Sequence, residues 1–352
     1  MNIIYDNIVF SLQKAGGISV YWYELIKRLQ NKDNIIFFEK NNENIFRKNL
    51  HIKTHIESRL PVKILRYLPF LKGLSEKSIF HSSYYRVSLQ RDVLNIVTVH
   101  DFTYEFFREG IAKKIHSWQK GFAIKHADGI ICISENTKKD LLKFYPKVDK
   151  KKVKVIYNGV GEEFKVLKNK DKYLKKHFPQ LVNKKYILYV GDRSEYKNFH
   201  IAVEIVKSLK GFNLVIVGGK ELKKNEINGV ENRCFHIKGI NGDELNVLYN
   251  NAYCLLYPSS YEGFGIPIVE AMRAGCPVIS TNKSSIPEVA GDAGLLVNNI
   301  DIDLFIQEIK KLECIDFREK IILKGLKFSK KFSWDKCFSE TYRFYEEVYK
   351  GN

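Results

Sequence analysis

The residues of this 352-residue chain best suited to chemistry stand in YEGFGIPIVEAMRAGCPVI. Pro267 suits the first turn of a helix, which places Glu262 just before that helix and Glu270 one turn inside it. Gly263 and Gly265 free the N–H groups around Phe264 to face an anion or sugar hydroxyls. One carboxylate could then accept from hydroxyls or stabilise developing positive charge, while the other grips a ribose diol. The same spacing also fits a plain helix start, where the macrodipole favours an acid. A second group is YVGDRSEYKN, where Arg193 and Lys197 follow a strand, four positions apart. Two cations there could neutralise a diphosphate and stabilise it as it leaves with added charge, or form an ordinary surface pair. In TVHD, His100 and Asp101 end a strand, where an imidazole can donate to a hydroxyl, carry a proton or be a satisfied structural group. Asp301 and Asp303 superficially suggest a metal site, but they precede a helical pattern and read better as capping.

These groups need elements that hold them at loop ends. Short β-branched runs alternate with longer amphipathic stretches along the whole chain. The strand candidates are 2–6, 34–38, 78–84, 95–101, 129–134 and 154–160 in the first half. In the second half they are 186–192, 213–219, 233–239, 252–258, 276–281 and 294–298. Many are continuous apolar runs, as in parallel strands buried on both faces. The alternation predicts an α/β fold with doubly wound parallel sheets, in which ligands sit beyond the carboxyl ends of the strands. Glycine turns of the right kind occur at Gly16-Gly17, Gly218-Gly219 and Gly263-Phe264-Gly265. None forms a GxGxxG fingerprint with its ribose-binding acid, or a P-loop. The polar, lysine-rich stretch 161–183 marks a domain break, and the aromatic, amphipathic C-terminal segment predicts a helix packed on a domain.

Length alone predicts roughly two domains, and 45 % hydrophobic with 28 % charged residues excludes a disordered or collagen-like chain. No apolar run is long enough for a transmembrane helix. MNIIYDNIVF enters an apolar run without a basic leader, so it reads as a first strand of a cytoplasmic protein. The six cysteines are scattered, with no C-x-x-C pair, and read as small core residues rather than disulfides or zinc ligands. The net charge is +18, with 29 basic against 17 acidic residues in 1–165. Residues 47–91 carry ten Lys/Arg and only Glu57 and Glu76 as acids. Such a surface attracts nucleic acid, phospholipid or a phosphorylated substrate. A nucleic-acid binder lacks any helix-turn-helix, zinc-finger or RNP signature here, and a Rossmann oxidoreductase lacks its fingerprint.

Together these segments resemble retaining glycosyltransferases of family 4, the glycogen-synthase-like group of GT-B fold. The matching elements run in order: AGGISVYWYEL, TVHD, ADGIICISENTKKDL, KVIYNGV, YVGDRSEYKN, LVIVGG, YPSSYEGFGIPIVEAMRAGCPVI, SSIPEVAGDAGLLVN and FSW. The resemblance implies two facing Rossmann-like domains with a donor cleft between them. Residues 1–165 would be the acceptor domain, 166–330 the donor domain, and 331–352 a helix packing back on the first. It implies that Arg193 and Lys197 hold the donor diphosphate. Glu262, Phe264 and Gly265 would contact the transferred sugar, with Ile266 near the diphosphate. Glu270 would bind the ribose, Gly218 would belong to the donor loop, Gly239 would fall where the base is read, and His100 would lie beside the sugar. Gly17 would let the first domain approach the phosphate and acceptor. One departure stands out: Asp192 intervenes between Gly191 and Arg193, a form similar to bacterial polysaccharide mannosyltransferases.

That subset implies a hexosyl transfer, GDP-mannose first and UDP-sugars next, with no metal or other cofactor. The acceptor would be a glycan, lipid-linked, in O-antigen or capsule synthesis, and no nucleic acid would be involved. The acceptor side is carried by His81, Tyr84, Tyr85 and Arg86 of FHSSYYR as lining candidates. The basic, apolar segment 59–68 is the candidate for peripheral contact with an anionic membrane face, or else an amphipathic helix covering the sheet. A non-catalytic, sugar-nucleotide-binding relative is the remaining alternative.

Overall fold

A computed structural model of the chain describes residues 1–30, 32, 34–74 and 77–351, so Glu76 and the terminal residue 352 lie outside the described residues. The chain divides into two compact units, Met1–Gly159 with Trp334–Asn352, and Val160–Ser333. The second break lies at the start of the last helix, which thereby joins the first unit.

The first unit is built on seven strands: β1 (Asn2–Asp6), β2 (Ile35–Phe38), β3 (Thr54–His55), β4 (Ser78–Ser82), β5 (Val93–Val99), β6 (Gly129–Cys132) and β7 (Val153–Val155). They pair in the order β3-β2-β1-β4-β5-β6-β7, all parallel. β5, VLNIVTV, is buried at every position, which is why it reads as a run rather than an alternation. The edge strand β3 was invisible in the sequence because its two polar residues are both exposed. The helix Gly17–Leu29 buries Tyr21, Trp22, Leu25, Ile26 and Leu29 on one side of the sheet. The final helix Trp334–Gly351 adds Trp334, Cys337, Phe344, Tyr345 and Val348 to the same core.

The second unit repeats the plan with β8 (Tyr186–Val190), β9 (Asn213–Val217), β10 (Cys234–Ile237), β11 (Cys254–Tyr257), β12 (Val278–Thr281) and β13 (Gly294–Val297). The order is β10-β9-β8-β11-β12-β13, again all parallel. Helix Phe199–Ser208 packs Ile201, Ala202, Ile205 and Val206 against Ile187, Leu214 and Leu256. Asp301 caps the helix Ile302–Lys311 by accepting from the N–H groups of Asp303 and Leu304, so these acids are structural, as the sequence reading held. Cys132, Cys254, Cys276 and Cys337 are buried free thiols, Cys234 is half-buried and Cys314 exposed.

Both sheets reverse their winding direction once, between β1 and β4 in the first and between β8 and β11 in the second. Connections on either side of such a point leave in opposite directions, so their first loops part and leave a crevice. That geometry selects the segments after β8 and after β11, which carry YVGDRSEYKN and YPSSYEGFG. Several predicted strands end earlier than their apolar runs suggest. Gly191 (φ 137°), Gly218 (φ 88°) and Gly239 (φ 70°) leave the strand conformation directly after β8, β9 and β10.

Candidate functional site

The loop after β8 ends in a single 3-10 turn, Glu195–Lys197, and Asn198 in the left-handed conformation (φ 50°) starts the next helix. Asn198 is an anchor that the sequence reading missed: its Nδ2 donates to the Pro258 carbonyl (2.8 Å) and to Ser260 Oγ (2.8 Å). The Ser260 amide in turn donates to the Tyr196 carbonyl (2.7 Å). The two loops flanking the switch point are thus laced together by main-chain and amide bonds.

This lacing brings Lys197 and Glu262 into contact. Lys197 Nζ donates to Glu262 Oε1 at 2.6 Å and to the Tyr257 hydroxyl at 3.2 Å, and both charged side chains are only 11 % exposed. Burial pulls against the charge on Lys197, but Glu262, with Tyr257 and Tyr196, outweighs it and holds the ammonium well above its ordinary pKa. The ammonium is therefore a fixed cation at any physiological pH. Charge pairs at this depth interact far more strongly than at the surface, and each member needs the other.

The Glu262 loop is held from β12's side by two serines. Ser284 Oγ accepts from the Glu262 amide (2.8 Å), and the Ser285 hydroxyl lies 2.9 Å from the carbonyls of both Glu262 and Phe264. SSIP thus acts as a bracket for the EGFG turn, a role that shape alone reveals. Gly265 has φ 100°, a conformation that L side chains rarely adopt, and a Cβ there would come within 3.2 Å of Ile268. It opens the helix Ile266–Arg273, with Phe264 buried beside it. Eight residues past Glu262, Glu270 points to the Tyr249 hydroxyl, which donates to it at 2.9 Å. Burial pushes the Glu270 carboxyl up to about 7, despite the Tyr249 bond; Glu163 adds to the rise.

Arg193 takes a different place from Lys197. Its Nε donates to Glu226 (2.8 Å), and its Nη2 donates to the carbonyls of Lys220 (2.8 Å) and Glu221 (3.0 Å). It therefore straps the 220–226 loop to the β8 loop. Nη1 remains buried without a partner, 2.6 Å from where a Cβ on Gly219 would lie. Gly218 packs its α-carbon against the Gly191 carbonyl, where a Cβ would sit at 3.5 Å. A Cβ on Gly239 meets nothing within 4 Å, so open space surrounds it.

In the first unit, Gly17 begins its helix with open space where a Cβ would be. His100, just past β5, sets its ring edge-on to Tyr21 at 5.0 Å, and burial pulls its pKa down to about 4. It is a neutral imidazole at pH 7, suited to donating a hydrogen bond rather than to holding an extra proton.

Two acceptor candidates are corrected. His81 is fully buried: its Nδ1 meets the Tyr345 hydroxyl (2.5 Å) and its Nε2 Thr98 Oγ1 (2.8 Å). Arg86 is also buried, with Nη1 on Asp6 (2.8 Å), Nη2 on Glu57 (2.7 Å) and Nε on the Leu68 carbonyl (3.0 Å). Arg86 lies in a buried salt-bridge network beside the end of β1, and His81 in a hydrogen-bonded core position, so neither side chain is open to an acceptor. Tyr84 and Tyr85 are half-buried against His116, their ring centroids 6.4 and 5.5 Å from its imidazole.

Segment 59–68 contains the single turn Val62–Leu65, which buries Leu65 and leaves Leu60, Ile64 and Tyr67 exposed. Among the described residues, no group of three or more His, Cys, Asp or Glu side chains is placed to hold a metal ion, and no helix is long and apolar enough to cross a membrane.

Comparison with known proteins follows the two-unit division. Residues 169–326 match the family described as glycosyl transferases group 1, and residues 15–164 match glycosyltransferase family 4. O-antigen chain mannosyltransferase B of Escherichia coli is 43 % identical over 105 residues, which span 30 % of this chain and 28 % of that protein. O-antigen chain mannosyltransferase RfbU of Salmonella typhimurium is 28 % identical over 254 residues, 70 % of this chain and 68 % of that one. The crystal structure of Anabaena HepE in complex with UDP-glucose superposes with a TM-score of 0.78 over the full length of both chains, at 15 % identity, a likeness of fold.

Proposed function

Starting from a chain that is a glycosyltransferase of GT-B fold, related to the bacterial polysaccharide mannosyltransferases, we propose that the crevice beyond β8 and β11 binds the diphosphate and sugar of a nucleotide-sugar donor. The transfer would place a hexosyl group on a glycan acceptor with retention at the anomeric carbon. The observation that carries this reading is the buried Lys197–Glu262 pair, at the switch point of a parallel sheet and held by the loops that follow β8 and β11.

The pair supplies a simple mechanism. A donor diphosphate competes with Glu262 for the Lys197 ammonium. As Lys197 turns to phosphate, the Glu262 carboxylate is released toward the sugar hydroxyls or the oxocarbenium character of the transition state. The bond between the anomeric carbon and the phosphate oxygen breaks, and its electrons leave with the nucleoside diphosphate. Lys197 and the N–H groups of residues 264–266 stabilise that added charge. The acceptor hydroxyl attacks the same face and passes its proton to the departing phosphate oxygen. Arg193 contributes its unpartnered Nη1 and keeps the Gly218-Gly219 turn in place. Glu270 accepts from the ribose hydroxyls, Gly239 leaves room for the base, and His100 donates to a sugar hydroxyl. Gly17 leaves open space for phosphate or acceptor.

The reading takes GDP-mannose as donor, UDP-sugars next, and a lipid-linked glycan in O-antigen or capsule assembly as acceptor; the O-antigen chain mannosyltransferases among the relatives support a mannosyl group and an O-antigen setting. A protein acting on such an acceptor works at the inner membrane face, and the cationic first unit suits that place.

A thermal-shift and donor-hydrolysis panel of GDP- and UDP-sugars tests the reading, with Glu270→Ala and Lys197→Ala alongside the wild type. One nucleotide should raise the melting temperature of the wild type and of neither variant, and its sugar form should slowly release nucleoside diphosphate. A wild type that no sugar nucleotide stabilises would overturn the donor site.

A further inference from the structure

Two arginines of the first unit are held in opposite ways. Arg86 has a carboxylate on each terminal nitrogen, Asp6 and Glu57, and the Leu68 carbonyl on Nε. Arg66, directly after the turn Val62–Leu65, has no carboxylate partner among the described residues. Its guanidinium lies over the rings of Tyr84 and Tyr67, 4.7 and 5.0 Å from their centroids, and Nη2 donates to the Tyr84 hydroxyl. Nε is buried without a partner. Aromatic rings hold a guanidinium but do not neutralise it.

Gln119 and His116, on the helix Gly110–Lys125, complete the cluster. Gln119 is only 3 % exposed; its Nε2 donates to the carbonyls of Arg66 and, at 3.3 Å, Tyr85, while its Oε1 has no partner. His116 stacks on Tyr104 with centroids 3.9 Å apart and meets Tyr85 edge-on at 5.5 Å, and its Nδ1 is likewise buried and unpartnered. Burial, with Lys120 adding to it, pulls the imidazole down to about 4, so His116 is neutral at pH 7. Lys120 is matched by Glu105 at 2.8 Å, which leaves Arg66 as the unopposed charge. Tyr84 and Tyr85 follow β4 and Tyr104 follows β5, so the cluster sits at the carboxyl ends of these strands, the edge that also carries His100. Lys120 links the two places, because its Nζ donates to the Asp101 carbonyl at 2.9 Å and lies 5.4 Å from the Tyr85 ring centroid.

Unpartnered polar atoms gathered in one place call for a ligand with matching groups. Arg66 Nε is a donor, and an unopposed guanidinium favours an anionic acceptor. Gln119 Oε1 only accepts, so a bare anion cannot satisfy it, whereas a hydroxyl can. The tyrosines add apolar faces with polar tips, which suit a ring that is apolar on its face and hydroxylated at its edge. We infer that Arg66, Gln119 and His116, framed by Tyr84, Tyr85 and Tyr104, form a subsite for an acidic sugar, one bearing a phosphate or carboxylate beside its hydroxyls. The inference rests on the glycan acceptor proposed above and gives that acceptor an anionic sugar unit. It also puts Arg66 in the acceptor role that the buried Arg86 cannot fill.

Ligand-observed NMR on the full chain tests this, with GDP and UDP present in excess to fill the donor crevice. Glucose 6-phosphate and glucuronic acid should bind, and glucose and inorganic phosphate should each bind about tenfold more weakly or worse. Glucose 1-phosphate separates the sources of the anion. Tighter binding than the other two places it on the anomeric carbon, as in a carrier-linked sugar, and weaker binding places it elsewhere on the ring. Arg66→Gln should weaken the sugar acids about tenfold or more, and so should Arg66→Lys, which keeps the charge but has no Nε. Gln119→Leu should weaken the sugar acids and leave the weak binding of inorganic phosphate as it is. The exposed neighbours are the control, and Arg59→Gln/Lys63→Gln should bind like the wild type. Glucose bound as tightly as its acids, binding abolished by the nucleotides, or a folded Arg66→Gln protein that binds like the wild type would overturn the assignment. So would inorganic phosphate bound as tightly as the sugar acids, which would leave an unspecific anion site. Stabilisation of the wild type by nucleotides is read in separate samples, so failure of the donor reading and failure of this subsite are distinguishable.

Discussion

Two carboxylates eight residues apart behave differently because their surroundings differ. Glu262 has a cation at 2.6 Å, whereas Glu270 is buried with the Tyr249 hydroxyl as its hydrogen-bond donor and the like charge of Glu163 acting on it. With its pKa raised to about 7 from 4.5, Glu270 binds a proton in the folded state that the unfolded chain has already lost. Its contribution to stability is intact below pH 4.5 and is lost as pH rises toward 7. Donor binding has the opposite sign, because only the carboxylate accepts from both ribose hydroxyls. Calorimetric donor affinity is therefore expected to rise between pH 6 and 8, and Glu270→Gln should flatten that rise. At the buried hub of the first unit, Tyr345→Phe removes the partner of His81 Nδ1 and of the Tyr5 hydroxyl, 2.6 Å away. Denaturant titration should show a loss of about 1–3 kcal/mol, the usual penalty of an unsatisfied buried polar group.

At the scale of elements, the site depends on a bracket of short turns rather than on long helices. Gly265→Ala forces a Cβ into a left-handed residue, at about 1–2 kcal/mol, and crowds Ile268. It should lower the melting temperature and weaken donor binding together. Ser285→Ala releases two carbonyls of the EGFG turn, and its expected signature is a raised donor KM with a smaller change in melting temperature. Much of this was legible from the chain. The apolar runs located twelve of the thirteen strands among the described residues, since strands buried on both faces leave a continuous hydrophobic signal. The Glu262 turn stood out through its glycines and proline. What the sequence hid were contacts between distant segments. Ser285 looks like any loop serine until it lies 2.9 Å from the carbonyls of Glu262 and Phe264. His81 and Arg86 resembled ligand-binding groups because polar types in a strand-end motif give no sign of being buried among Asp6, Glu57 and Tyr345.

For the molecule as a whole, the chain leaves the first unit after Gly159 and returns to it with Trp334. The returning helix places Trp334, Phe344 and Tyr345 in the first unit's core. A chain ending at residue 333 should therefore unfold the first unit and spare the second. Hydrogen exchange would show this as lost protection in β1, β4 and β5 with β8 and β11 still protected. The cationic excess has a similarly global reading. Glu57 is buried under Arg86, so this acid does little to offset the lysines of the 47–91 segment at the surface, and anion attraction should weaken steadily with salt.

In the proposed reaction Lys197 is the cation that receives the donor diphosphate. Its most direct test is nucleoside diphosphate release at saturating donor by the wild type, Lys197→Met and the double variant Lys197→Met/Glu262→Gln. The double variant leaves no buried charge unpaired, so it should melt close to the wild type. Removing such a group is expected to slow release by about 10²–10³-fold in both variants. Release at the wild-type rate by a folded Lys197→Met/Glu262→Gln protein would contradict the account.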